Sequence, residues 1–194
     1  MVAARICREC GSRKPTMAHQ ITRSGRERFF PPSELIVSKT DLKGRITYAN
    51  GLFCRMAGYR ESELLGQPHS IIRHPDMPRS VFRLLWDTIE ARREIFAFVK
   101  NMASNGDHYW VFAHVTPSFN AQGEMTGYHS NRRVPDRKMI ETAIIPLYAE
   151  VLKVERAHAN GKEAVAAGYK ALTDFVASQK VAYEELIFSL QSAA

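Results

Sequence analysis

Short apolar runs separated by turn residues open the central part of the chain. Residues 35–39 and 45–49 flank an Asp-Leu-Lys-Gly turn, in which Gly44 can adopt the positive φ that such a turn needs. Asn50 then has the position of a helix N-cap, and residues 60–66 form a second short helix with acidic residues in its first turn. The pattern predicts a β-hairpin followed by two small helices.

The stretch IIRHPDMPRS, residues 71–80, leads into a longer helix. A residue before proline is disfavoured in the helical conformation, so the helix is predicted to begin near Pro78, with Asp76 or Met77 at its N-terminus. Apolar residues then recur at helical spacing, which predicts an amphipathic helix packed on a core. These residues are Val81, Phe82, Leu85, Trp86 and Ile89.

Three further strands are predicted between residues 95 and 133. The dipeptide Asn105-Gly106 separates residues 95–103 from residues 108–119, and a second turn separates the latter from residues 126–133. The order of two strands, several helices and three strands predicts an α+β fold, in which helices pack over one face of a five-stranded antiparallel sheet.

Residues 135–194 are predicted to form a C-terminal helical extension. Pro146 is either a kink within the first helix or the point where the helix restarts, and Asn160-Gly161 ends it. Apolar residues then recur at spacings of four and three, which suits a helical hairpin on the sheet or a seam for a second chain. A turn at residues 178–180 would split this last segment into two helices.

The net charge of +7 is concentrated at the start of the chain. Residues 1–30 hold seven lysines and arginines but only two acidic residues, without helical or strand periodicity. Residues 1–33 are therefore predicted to be a basic, disordered tail, and not a nucleic-acid-binding surface. The expected organisation is this tail, a domain over residues 34–134 and the helical segment over residues 135–194.

Other function classes find little support in the composition. No apolar run approaches the ~20 residues that span a bilayer, the first residues lack a signal-peptide pattern, and three cysteines cannot form a disulfide framework. These features predict a cytoplasmic protein without membrane insertion. Cys7 and Cys10 form a CxxC, but His19 is the only nearby candidate for a further ligand, so no metal site is predicted. Without a nucleophile elbow or P-loop, the chain is not expected to be an enzyme.

Three stretches resemble the N-terminal PAS domain of bacterial aerotaxis transducers: TDLKGRITYAN, GYRESELLGQPHSIIRHPDMP and VKNMASNGDHYWVFAHVTP. The resemblance implies a PAS fold and a non-covalent FAD that reports redox or oxygen state to a chemotaxis or other signalling protein, with a homodimer expected. The positions that match flavin-linked residues are Asn50, Arg73, His74, Asp76, Trp86 and Asn101, with Tyr109 as a wall of the pocket.

The chemistry of these residues agrees with a dinucleotide ligand. Arginine and a helix N-terminus favour a pyrophosphate, and Asn101 offers an amide partner to the isoalloxazine ring. A purely structural role is the alternative for residues 73–76, with Asp76 accepting hydrogen bonds from the helix N-terminus and Arg73 pairing with Asp76.

The resemblance has one departure. The transducers have Pro-Trp-Ser-Gly where this chain has Glu94-Ile95-Phe96-Ala97, so the pocket is expected to be narrower or reshaped. One alternative is a cofactor-free interaction or dimerisation module whose pocket is filled by Ile95, Phe96 and Phe98. A heme sensor is another, with His74, His108, His114 or His129 as the candidate ligand.

By analogy with PAS sheets, the fourth strand is expected to turn one set of side chains towards the ligand: Tyr109, Val111, Ala113 and Val115. The other set is unusually aromatic for a solvent-exposed face: His108, Trp110, Phe112 and His114. We expect the C-terminal helices or a second protomer to cover this outer face.

Overall fold

The computed structural model describes residues 21–192 and is organised around a five-stranded antiparallel sheet. The strand order is β2-β1-β5-β4-β3, so β2 and β3 are the edges. The strands are β1 (Ile36–Thr40), β2 (Ile46–Ala49), β3 (Ile95–Met102), β4 (His108–Phe119) and β5 (Met125–Arg133).

Helices connect β2 to β3 and also follow β5. The connecting helices are α1 (Gly51–Ala57), α2 (Glu61–Leu64), a 3-10 turn (His69–Ile72) and α3 (Arg79–Glu90). The C-terminal helices are α4 (Arg137–Met139), a π-helical stretch (Ile140–Ile144), α5 (Ile145–Arg156), α6 (Gly161–Ser178) and α7 (Tyr183–Ser192). This arrangement confirms the predicted α+β class, the five-stranded antiparallel sheet and the helical extension.

Local signals in the sequence fix the first hairpin and helix. Gly44 has a φ of 72° in the β1–β2 turn, and a Cβ atom there would lie 3.0 Å from Cη2 of Trp86, so both conformation and packing require glycine. Asn50 caps α1, since its Oδ1 accepts a hydrogen bond from the Phe53 backbone N–H at 3.0 Å. Gly58 ends α1 with a φ of 70°.

The C-terminal helices depart from regular α-helix at two of the predicted points. Pro146 has no N–H group for a carbonyl of the preceding turn, and the π-helical stretch lies immediately before it, so the helix continues through the proline. Lys180 has a φ of 59° after the end of α6, which separates α6 from α7. The split near residues 178–180 is thus present.

The C-terminal helices cover the aromatic outer face of the sheet. The ring of Trp110 lies 6.3 Å from that of Tyr148 on α5, and the ring of Phe112 lies 6.4 Å from that of Phe188 on α7. Of the two covers expected for this face, the chain supplies its own.

Two tyrosines also protect the exposed edge of the sheet. The hydroxyls of Tyr148 and Tyr183 donate hydrogen bonds to the backbone carbonyls of Phe98 and Phe96, each at 2.8 Å. Because β3 is an edge strand, these carbonyls have no neighbouring strand to pair with. The bonds fasten α5 and α7 to the backbone of β3.

Residues 21–33, termed the N-terminal segment below, correct the expectation of a disordered tail up to residue 33. Arg28 N–H donates to the His108 carbonyl at 2.7 Å, and His108 N–H donates to the Arg26 carbonyl at 2.9 Å. The arginine side chains of both positions pair with the buried carboxylate of Asp107, at 2.8 and 2.9 Å. The basic residues balance a buried acid, so the segment packs on the domain. Residues 1–20, with Cys7 and Cys10, lie outside the described residues.

Candidate functional site

A cavity of about 260 Å³ lies between the inner face of the sheet, α3 and the 3-10 turn. The sheet contributes Ser38, Thr40, Val99, Asn101, Ala113, Val115, Tyr128, Ser130 and Arg132. The helix contributes Phe82, Leu85, Trp86 and Ile89, and the loops contribute Lys43, Gly44, Pro68, His69, Ser70, Ile72 and Arg73. Lys43, Pro68 and Ser70 are exposed, whereas Asn101 and Arg132 are buried, so the cavity leads from an exposed rim to a buried floor.

The floor of the cavity carries hydrogen-bond donors without acceptors. Within the described chain, Nδ2 of Asn101 and both Nε and Nη1 of Arg132 are buried and have no hydrogen-bond partner. Buried polar groups are normally paired, since an unpaired one costs about 1–3 kcal/mol. Unpaired donors in cavity-lining side chains therefore point to a ligand with acceptor atoms.

Arg132 places a positive charge beside the cavity. Its side chain is 2% exposed, and its guanidinium lies over the Phe53 ring at 4.5 Å and donates from Nη2 to Oγ of Ser38. Burial lowers the pKa of Arg132 to about 10, so the group remains charged at neutral pH. No carboxylate of the described residues forms an ion pair with it.

His69 continues the polar contacts of Arg132. Its Nε2 lies 3.2 Å from Oγ of Ser38, and its ring stacks on Phe53 at 5.8 Å between centroids. Burial, reinforced by the charge of Arg132, lowers the pKa of His69 to about 3. His69 is therefore neutral at physiological pH, and Ser38 links it to Arg132.

Arg73 stands on the loop side of the cavity. Its guanidinium lies over the Phe82 ring at 4.1 Å, and its backbone forms an isolated β-bridge with Asn101 at the edge of β3. Burial lowers the pKa of Arg73 from its usual high value. Together with Lys43, it gives the outer part of the cavity a cationic character.

The structure brings three of the predicted site residues together on the cavity: Arg73, Trp86 and Asn101. Asn50 lies elsewhere. The oxygen of its side-chain amide accepts from backbone N–H groups of α1 and β1, and the nitrogen donates to the Leu35 carbonyl. Tyr109 is fully buried in the core and is not part of the cavity lining. Neither of these two residues belongs to the cavity lining.

His74 and Asp76 also lie outside the cavity. Nδ1 of His74 accepts a hydrogen bond from the Asp76 backbone N–H at 3.0 Å, and burial lowers the pKa of His74 to about 4. The Asp76 carboxylate pairs with Arg23 of the N-terminal segment at 3.0 Å and with Arg156 of α5 at 3.4 Å. Asp76 thus joins the N-terminal segment and α5 to the loop before α3.

The N-terminus of α3, where a pyrophosphate was expected, holds a carboxylate of the chain itself. Oε2 of Glu155 accepts from the Arg79 backbone N–H at 3.0 Å, and Oε1 accepts from the Ser80 backbone N–H and hydroxyl at 2.8 and 2.7 Å. Glu155 is 6% exposed. A Cβ atom on Gly168 of α6 would lie 2.6 Å from Cγ of Glu155, so glycine leaves room for this side chain.

Two residues important for the site were not predicted from the sequence. Arg132 and Glu155 act over long sequence separations: Arg132 reaches Ser38, and Glu155 reaches Ser80. A lone arginine at the end of a strand and a lone glutamate on a helix have no distinguishing local signal. A buried small residue such as Gly168 within an apolar helical pattern was the only hint of close packing around Glu155.

The aromatic side chains of β3 bear on the alternative of a cofactor-free, filled pocket. Phe96 stacks on His114 at 4.1 Å and contacts Phe188 at 4.6 Å, so it lies on the outer face of the sheet. Phe98 lies beside Phe112 on the same face. Phe96 and Phe98 therefore do not fill the cavity, whereas Ile95 packs with Ile89, Val115 and Tyr128 of its wall. The departure at these positions leaves the cavity open.

The positions of the histidines bear on the heme alternative. None of His74, His108, His114 and His129 is in the cavity lining, in which the histidine is His69. Residues 21–192 contain no cluster of three or more His, Cys, Asp or Glu side chains suited to a metal ion. Over the same residues, no helix combines the length and apolarity needed to cross a membrane.

The sequence of this chain is similar to those of known proteins. The family model described as PAS fold matches residues 46–132. The aerotaxis receptor of Escherichia coli is 43% identical over 114 residues, which is 58% of this chain and 22% of the receptor. The nitrogen fixation regulatory protein of Klebsiella pneumoniae is 34% identical over 101 residues, 52% of this chain and 20% of that protein. The chain thus spans about a fifth of the length of these relatives.

A solved structure agrees with the fold. A light-oxygen-voltage domain studied with a flavin analogue superposes with a TM-score of 0.50 and 18% identity, covering 60% of this chain and 87% of that domain. At this identity the likeness concerns the fold alone. With the family match and the two relatives, it leads to one conclusion: residues 46–132 have a PAS fold and are similar in sequence to part of the aerotaxis receptor.

Proposed function

We propose that the protein is an aerotaxis-type sensor of redox or oxygen state that binds a flavin non-covalently in the cavity and passes its signal through the C-terminal helices. The observation that carries this proposal is the set of unpaired donors on Asn101 and Arg132 in an otherwise largely apolar cavity. A flat apolar ring with carbonyl and ring-nitrogen acceptors along one edge satisfies both the walls and the donors.

The size of the cavity agrees with a ring system, with the rest of a dinucleotide outside. Its volume of about 260 Å³ is below the ~300–1,000 Å³ of pockets that enclose a whole drug-sized ligand. The α3 N-terminus is closed to phosphates by Glu155. The remaining cationic side chains near the rim, Arg73 and Lys43, are the residues that would hold the phosphates of FAD.

The relatives support a sensory role in signalling, since they are named as an aerotaxis receptor and a nitrogen fixation regulatory protein. A bound flavin would supply a reversible redox change, which alters the charge and the hydrogen bonding at the edge of its ring. Asn101 and Arg132 would meet that edge. Phe82, Leu85, Trp86 and Ile89 place about two successive turns of α3 against the same cavity.

Helix α3 connects the cavity to the C-terminal helices. Its apolar side lines the cavity, its first turn is bonded to Glu155 of α5, and Arg83 lies over the ring of Tyr169 of α6 at 5.5 Å. A change of ligand that shifts α3 therefore acts directly on α5 and α6. A ligand biases such a change only through contacts that differ between the two states. A partner protein would then recognise the altered arrangement of these helices.

The visible absorption spectrum of freshly purified protein tests the proposal. The expected result is the absorption of an oxidised flavin, or its appearance with about one equivalent of FAD added to colourless protein. A Soret band would support heme instead, with His69 as the cavity histidine. A colourless protein that fails to take up FAD would support the cofactor-free interaction module.

Two substitutions at paired positions of β3 and β4 refine this test. Asn101 and Tyr109 are opposite each other in the sheet, but only Asn101 lines the cavity. N101A is expected to weaken FAD binding by about 5- to 10-fold, the value of one hydrogen bond of about 1 kcal/mol or slightly more. Y109F is the matched control and is expected to bind FAD as the wild type does. Equal affinities of N101A and the wild type would contradict a ligand on the cavity floor.

A further inference from the structure

Arg132 lines the cavity but is not among the positions that match flavin-linked residues of the aerotaxis transducers. It is buried and charged, has no carboxylate partner among the described residues, and leaves Nε–H and Nη1–H unpaired beside the cavity. The hydrogen bond from Nη2 to Ser38 holds the guanidinium in place, and the Phe53 ring covers one of its faces. The free N–H groups therefore have a fixed direction before any ligand binds.

A guanidinium selects the chemistry of its partner. Each of the unpaired Nε–H and Nη1–H groups needs an acceptor atom, and a buried cation favours acceptors that carry partial or full negative charge. In a flavin, only the pyrimidine edge of the ring presents such atoms, since the dimethylbenzene edge is apolar. Ala113, which is paired with Arg132 in the sheet, has only a methyl side chain next to the guanidinium.

The phosphates of the same ligand do not suit this position. A pyrophosphate is strongly hydrated, and burying it in a mostly apolar cavity with one cation would cost more than leaving it near solvent. Arg73 and the exposed Lys43 lie on the loop side, where water remains available. The two ends of the cavity thus differ in the acceptors they favour.

We propose that Arg132 recognises the pyrimidine edge of the flavin ring, so that the ring enters with this edge first and the phosphates stay outside near Arg73. This inference rests on the proposed function. It assigns Arg132 to the ring and Arg73 to the phosphates, which makes the two arginines separable by a flavin that carries phosphates and one that carries none.

Titration of the flavin-free protein with riboflavin and with FAD, followed by quenching of flavin fluorescence, tests the assignment. Riboflavin has the same ring without phosphates. R132M is expected to weaken the binding of both ligands to the same extent, by about 10- to 100-fold, the range for hydrogen bonds to a charged group. R73M is expected to weaken the binding of FAD but not that of riboflavin. R133M, at the neighbouring exposed position, is the matched control and should bind both ligands as the wild type does.

The outcomes separate the two proposals. A loss in R132M that is confined to FAD, or no loss at all, overturns the orientation but leaves a flavin-binding cavity. Wild-type protein that binds neither ligand overturns the proposed function, and the orientation with it. If thermal unfolding shows that R132M is not folded, R132K keeps the charge without the guanidinium N–H groups and is expected to lose affinity for both ligands equally. An equal affinity of R132K and the wild type would contradict recognition by the guanidinium.

Discussion

Glu155 fastens the C-terminal helices to α3, and its replacement by glutamine is expected to weaken this attachment. The carboxylate accepts three hydrogen bonds with its two oxygens, one from Arg79 and two from Ser80. A glutamine has only one acceptor oxygen, and its amide group is itself a donor. If the oxygen keeps its position at Ser80, the amide must meet the Arg79 N–H, so that two donors face each other.

The expected loss in the free energy of unfolding follows from the interactions that the glutamine cannot make. One hydrogen bond to a charged acceptor is worth about 1.5 kcal/mol at the low end of its range. The interaction of a negative charge with a helix N-terminus adds about 0.5 kcal/mol. E155Q is therefore expected to lower the free energy of unfolding by about 2 kcal/mol, which for a chain of this size lowers the melting temperature by about 4–8 °C.

Urea unfolding of E155Q beside E150Q provides the measurement. Glu150 is on the same helix, but its side chain is 75% exposed and its contact with Lys153 is long, at 3.8 Å, so E150Q is expected to stay within about 0.5 kcal/mol of the wild type. Limited proteolysis should also cut the C-terminal helices of E155Q faster. Equal stability of the two variants would refute the view that Glu155 holds α5 on α3.

Two further predictions concern the turns and the N-terminal segment. Hydrogen bonds from this segment, above all from Arg26, hold the pKa of Asp107 well below its usual range. The ionised form thus stabilises the folded state at pH values above the unfolded pKa of about 3.9, and this contribution is lost as the pH falls further. D107N should lack it at neutral pH, so limited proteolysis at pH 7 should remove the segment faster from D107N than from the wild type; equal rates would show that the ion pairs are dispensable. G44A should lower thermal stability more than G123A, because both positions have a positive φ but only a Cβ atom at Gly44 would contact Trp86; equal effects would leave only backbone strain.

Local signals account for most of what could be predicted from the sequence. Gly44, Asn50 and Gly58 are each recognisable from their immediate neighbours, because turns and caps are satisfied within a few residues. The alternation along β4 likewise separates the inner face of the sheet from the aromatic outer face, since the side chains of a strand point to opposite sides.

The candidate site was less predictable, because its polar contacts join distant parts of the chain. Arg73, Trp86 and Asn101 were identified by resemblance, whereas Arg132 and Glu155 needed the three-dimensional structure. The N-terminal segment was misjudged for the same reason: a cluster of arginines suggests a solvated tail until the buried acid that they contact is known.

The occupation of the α3 N-terminus changes how the loop RHPDMPRS is understood. An unoccupied helix N-terminus would attract the phosphates of a ligand, but here the carboxylate of Glu155 from α5 neutralises it. Asp76 in the same loop pairs with Arg156, the residue next to Glu155, so two adjacent residues of α5 contact the loop with opposite charges. Arg73, six residues before the first residue of α3, lines the cavity. The loop thus joins a cavity-facing side chain to the anchoring point of the C-terminal helices, because only seven positions separate Arg73 from Ser80.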